Sequence, residues 1–131
     1  MTPAARTEAA IELLAAIDAA PTRPADAVAN DYFRARRFIG SSDRRAVSDR
    51  VWRVLRSYRR LSWWLHDHPT PRLLVGASLL FDGDTLADFT GGRFAPAPLA
   101  PSEQAVLHRL EGRGHLAVFA DWAAVLASLL G

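Results

Sequence analysis

The sequence predicts an all-α fold, a single helical bundle of about six or seven helices across residues 1–131. Apolar residues recur at helical spacing along most of the chain, and proline and glycine interrupt that pattern at intervals of one helix. No segment shows the sustained alternation of apolar and polar residues of a half-buried strand, although Leu116-Ala117-Val118-Phe119 can form a short extended piece. Half of the residues are hydrophobic, enough for a packed interior and too many for disorder.

Thr2-Pro3 reads as an N-cap followed by proline at the first helical position. Ala10, Ile11, Leu14 and Ile17 continue the apolar spacing, and the helix is expected to stop before Pro21. Pro24 opens a second helix with Val28, Ala29, Tyr32 and Phe33 on one face and Gly40 as its stop. Ser41 or Ser42, with Asp43, is expected to cap a long third helix running to about Asp67. Pro71 to Phe81 reads as a fully buried fourth helix, because it is almost free of polar residues. Asp84 to Phe89 can form a short helix. Residues 82–101, with Gly91-Gly92 and a proline-alanine run, form an irregular connection. Ser102-Glu103 starts a sixth helix through Leu110, stopped by Gly112 and Gly114. Asp121 caps a last one, Trp122 to Leu130.

The composition excludes several classes. The longest apolar run, Leu73 to Phe81, has nine residues, far below the ~20 needed to span a bilayer. The first residues lack the continuous apolar stretch of a signal peptide. There is no cysteine, hence no disulfide, thiolate metal site or cysteine nucleophile. A cytoplasmic protein without a membrane partner fits all three.

Charge is more informative in its placement than in its total. All sixteen basic residues are arginine and the formal net charge is +2. Base composition alone can produce the arginine bias; it does not dictate position. Arg34, Arg36, Arg37, Arg44, Arg45, Arg50, Arg53, Arg56, Arg59 and Arg60 face only two acids nearby in sequence, Asp43 and Asp49. Residues 34–60 therefore carry a local charge of +8. Such polarisation suits a polyanion, since neutralising phosphates releases counterions.

The third helix concentrates the candidates. Placed on a wheel at 100° per residue with Val47 at zero, Val51, Val54, Leu55, Tyr58, Leu61 and Leu65 fall within about 80° of it and face the core. Arg45, Trp52, Arg56, Arg59 and Trp63 fall about 120–180° away, with Arg53 and Arg60 beside them. Guanidinium groups bind phosphate bidentately and indoles stack on bases. Arg45, Arg53, Arg56, Arg59 and Arg60 are thus expected to contact phosphates. Arg34, Arg36, Arg37 and Arg44 extend the surface, and Trp52 or Trp63 serves as a stacking platform. The competing reading packs both tryptophans beneath the C-terminal helices, with arginines snorkelling at the edge.

No constellation supports catalysis or a metal. His66 and His68 lie on different sides of a helix, and His108 and His115 lack carboxylates at ligand spacing. Asp82, Asp84 and Asp88 read as a solvated helix cap. Gly91-Gly92-Arg93 and Gly112-Arg113-Gly114 do not sit between a strand and a helix, as a phosphate loop would. Ser41 and Ser42 have no histidine at a placeable distance.

The stretch Ser42-Asp43-Arg44-Arg45-Ala46-Val47-Ser48-Asp49-Arg50-Val51-Trp52-Arg53-Val54-Leu55-Arg56 resembles the N-terminal domain of the Sun/Nop family of ribosomal RNA cytosine-C5 methyltransferases. Thr2-Pro3-Ala4-Ala5-Arg6, Phe38-Ile39-Gly40-Ser41-Ser42-Asp43-Arg44 and Gly92-Arg93-Phe94-Ala95-Pro96-Ala97-Pro98-Leu99 are similar to bacterial members of it. The resemblance spans the chain in order. Near the end the family shows Pro-x-Trp-Leu. Here Ala120-Asp121-Trp122-Ala123 keeps only the tryptophan.

The resemblance implies a NusB-like helical domain that binds and orients ribosomal RNA without being an enzyme itself. S-adenosylmethionine would belong to a methyltransferase domain absent from these 131 residues, with residues 113–131 starting the bridge to it. It also leaves an alternative: a protein-interaction module docking on that catalytic domain, or on a ribosomal protein, through the Trp52/Trp63 face.

Overall fold

In a computed structural model that describes residues 1–66, 69–110 and 126–130, the chain is an all-helical bundle. Its elements are α1 (Pro3–Asp18), α2 (Ala25–Ala35), α3 (Ser41–Arg56), α4 (Tyr58–Trp64), α5 (Pro71–Phe81) and α6 (Pro101–His108). Residues 126–130 are also helical. No strand occurs among the described residues, and no helix there is long and apolar enough to cross a membrane.

Local chemistry starts the two central helices, at Thr2 as expected and also at Thr70, a cap that the sequence reading does not name. Thr2 Oγ1 accepts from the Ala5 N–H at 3.1 Å, and Thr70 Oγ1 accepts from the Leu73 N–H at 3.2 Å. Each satisfies one of the four N–H groups that a helix start leaves unpaired. Every residue from Leu73 to Leu80 is buried, so α5 is the axis of the core. It packs against α1, α3, α4 and α6, while α1 also packs on α2 and α3. A Cβ on Gly76 would lie 3.0 Å from Leu107 Cδ1, so this glycine lets α6 approach α5 closely.

Several boundaries depart from the sequence reading. α2 ends at Ala35 rather than at Gly40, because the chain leaves helical geometry at Arg36 (φ −125°, ψ 63°) and then buries Ile39. Gly40 is instead the extended residue preceding α3. Ser41 and Ser42 lie inside that helix and do not cap it. Asp43 turns away to accept from Arg6 Nε at 2.7 Å and to pair with the Met1 amino group.

The long third helix is two helices, interrupted at Ser57, whose backbone sits near the bridge region (φ −109°, ψ 16°). The break ends the single apolar stripe: Leu61 and Leu65 remain buried, but Tyr58 turns outward. Residues 84–89 form turns rather than a helix. Glu103 does cap α6, accepting from the Ala100 N–H at 2.9 Å, although the helix already begins at Pro101. The expected ends at Asp67 and Gly112–Gly114, the Asp121 cap and most of residues 113–131 lie outside the described residues.

Candidate nucleic-acid interface

The wheel's outer stripe is outward in the structure: Arg45, Trp52, Arg56, Arg59 and Trp63 are all exposed. Trp52 is 38% and Trp63 42% exposed, so among the described residues no helix covers either. Trp63 packs edge-on against Trp64 with centroids 5.1 Å apart, and Trp64 in turn tilts against Phe81. Trp63 is therefore a braced indole, with part of its surface committed to protein.

The arginines, however, do not form one field. Two of the ten are neutralised by acids distant in sequence. Arg50 pairs with Asp82 and Asp84 and also donates to Ser78 Oγ at 3.0 Å. Arg53 pairs with Asp49 and Asp82, each at 3.0 Å. Asp82 and Asp84 sit where α5 ends, so the expected solvated cap is an anionic clamp on α3. The hydrogen bond from Arg53 to Asp82 raises the arginine's pKa, with Asp49 adding to the effect. Arg53, expected on phosphate, is thus held by carboxylates.

A third arginine is held by aromatic and backbone partners. Arg36 lies over the Tyr32 ring, 3.8 Å from the centroid, and donates to the Tyr32 carbonyl at 3.2 Å. Its Nε is 3.9 Å from Glu12. Arg60 lies over Phe81 at 5.1 Å and is half-buried. Neither is a freely presented cation.

What remains converges elsewhere. Arg34, Arg37, Arg44 and Arg45 line one open groove of about 730 Å³ between the end of α2 and the start of α3, together with Asn30, Phe33 and Ser48. No carboxylate lines it. Arg44 is fixed by donation to the Ile39 carbonyl at 2.9 Å and leans over Phe33 at 5.8 Å. That hydrogen bond leaves the charge uncompensated. Arg34 has a loose contact with Asp31 at 3.7 Å and is highly exposed. Arg37 and Arg45 make no ion pair or hydrogen bond among the described residues, and the same holds for Arg56 and Arg59.

α3 carries this groove toward the tryptophan. Arg45 and Ser48 line the groove, and Trp52 lies seven residues beyond Arg45, about two turns or ~10 Å along the axis. Arg56 is one turn further. A cationic groove, an exposed indole and a further cation therefore follow one another along a single exposed helix face.

Sequence reading found the exposed stripe but missed the clamp, since nothing local links Arg50 and Arg53 to residues 82–84. Helical spacing from Arg44 and Arg45 could have added Ser48. Asn30 and Phe33 depend on how α2 meets α3, which no spacing reveals. Among the described residues no group of three or more His, Asp and Glu could hold a metal ion. Comparison of the chain with protein-family models, with curated proteins and with solved structures gave no match.

Proposed function

We propose that this chain is a non-catalytic RNA-binding domain whose phosphate contacts centre on the Arg34–Arg37–Arg44–Arg45 groove. The observation that supports it most is that four arginines line one groove with no carboxylate among its walls. Fixed cations facing water attract a polyanion, and the release of condensed counterions makes association favourable. Guanidinium forks suit phosphate oxygens, and the exposed Trp52 offers a stacking surface to a base ~10 Å along the helix. Arg56 and Arg59 extend the contact. Single-stranded or looped RNA suits this order, because unpaired bases can reach an indole.

The resemblance to the Sun/Nop N-terminal domain narrows the reading to ribosomal RNA, oriented for an S-adenosylmethionine-dependent cytosine-C5 methyltransferase domain. In that reading the cofactor and the chemistry belong to the other domain, and this one holds RNA in the cytoplasm. The exposure of Trp52 and Trp63 supports a second reading, in which that face docks on the catalytic domain or on a ribosomal protein.

Filter binding of a ribosomal RNA hairpin across a salt series tests the proposal. Affinity should fall steeply with salt. Arg37→Glu with Arg45→Glu should weaken binding and lower the log–log salt slope by about two. Arg109→Glu, an exposed change at the residue that follows α6, should leave the slope unaltered. Salt-independent binding, or a double variant that behaves as wild type, would refute the groove; tight salt-insensitive capture of a protein partner through the tryptophans would favour docking.

A further inference from the structure

A second groove, of about 400 Å³, opens along α1, and its character is opposite. Its floor is apolar, built from Ala5, Ala9 and Ile39, all buried. Two separate loops each add a phenylalanine to its lining. Phe38, between α2 and α3, is 79% exposed, and Phe94, between α5 and α6, is 69% exposed. Phe94 also sits in the left-handed region at φ 65°, which is costly for a bulky side chain. Arg93, over the Phe94 ring at 5.0 Å, lies beside it on the groove. Two large aromatic side chains left in water around one apolar floor mark a contact surface rather than scattered exposure.

The acids on this groove specify what it fits. Glu8 and Glu12 stand one turn apart on α1, on the same stripe as Ala5 and Ala9. Glu12 is occupied, accepting from the Tyr32 hydroxyl at 2.8 Å with Arg36 nearby. Glu8 makes no hydrogen bond or ion pair among the described residues. Partial burial and the neighbouring Glu12 push its pKa up, against a smaller opposing pull from Arg72. The carboxylate is thus half-buried beside apolar surface, with no hydrogen-bond donor from protein among the described residues. Glu8 and Glu12 share this lining with Arg36 and Arg93, whereas the arginine groove holds no carboxylate, which separates the two.

We infer that the α1 groove is a docking site for a protein segment that sets an apolar side chain against Phe38 and Phe94 and an adjacent lysine or arginine on Glu8. The apolar anchor would cover the two rings, and the cation would pair with the half-buried carboxylate. The site is separate from the arginine groove: the two share no lining residue, and only this one carries carboxylates beside its arginines.

The test is an amide NMR titration of the intact chain with two peptides, Ac-Leu-Lys-Leu-Leu-NH2 and Ac-Leu-Glu-Leu-Leu-NH2. The lysine peptide should give saturable shifts confined to residues 5–12 and the Phe38 and Phe94 loops, and should bind more tightly than the glutamate peptide. Glu8→Gln should weaken the lysine peptide about two- to five-fold and leave the glutamate peptide no weaker. Phe38→Ala with Phe94→Ala, both exposed, should abolish the shifts without loss of fold. Equal affinity for both peptides, shifts elsewhere, or no saturable shift would overturn the inference. Concentration-dependent self-association that masks the same residues would overturn it too, since the occupant would then be a second copy.

Discussion

The ion pair between Arg72 and Glu103 shows how one side chain does two jobs at an element junction. Glu103 accepts from Arg72 Nε at 3.0 Å and Nη2 at 3.1 Å, and also from the Ala100 N–H that α6 leaves unpaired. Arg72 reaches on to the carbonyls of Ala97 and Pro98, which ties the proline-rich connection to α5. Hydrogen bonding from Arg72 is the main cause that lowers the Glu103 pKa below its ordinary 4.5. A lowered carboxylate pKa stabilises the fold above that ordinary value, and the contribution is lost as pH falls through the folded-state value. Glu103→Gln should therefore cost about 1–2 kcal/mol at neutral pH in denaturant titrations. The difference from wild type should shrink below pH 4.5. A pH-independent loss would contradict this account.

At the scale of the element, the start of each central helix was legible and the joints were not. Thr2-Pro3 and Thr70-Pro71 cap through their own side chains, so a four-residue window contains the cause. Ser57 has no such mark: a polar residue in a strongly periodic stretch gives little sign that the helix will break there and turn Tyr58 outward. The α5–α6 contact is of the second kind. In sequence Gly76 lowers the helix propensity of α5, yet in the bundle its missing side chain is what admits Leu107. Gly76→Val should destabilise the protein by about 1–3 kcal/mol through overpacking, measured as a lower midpoint in urea. An unchanged or raised midpoint would mean that α6 can withdraw at no cost.

Across the whole molecule, the candidate interface was half visible. The outward set Arg45, Trp52, Arg56, Arg59 and Trp63 followed from helical geometry alone and is exposed as expected. Local charge counting failed because folding carries Asp82 and Asp84 onto Arg50 and Arg53, some thirty residues away. The same folding gathers Arg34 and Arg37 from α2's end with Arg44 and Arg45 from α3's start, a juxtaposition that only tertiary structure supplies. Pairing, more than position in the sequence, therefore separates structural arginines from those available to a polyanion.

That distinction is open to one direct comparison. Arg37→Gln and Arg53→Gln remove the same charge from exposed positions, but Arg53 is held by Asp49 and Asp82 while Arg37 has no partner among the described residues. In a salt series of RNA binding, Arg37→Gln should lower the log–log slope by about one and Arg53→Gln should barely change it. Equal reductions in both variants, or a larger one for Arg53→Gln, would contradict the assignment of the groove as the phosphate-binding surface.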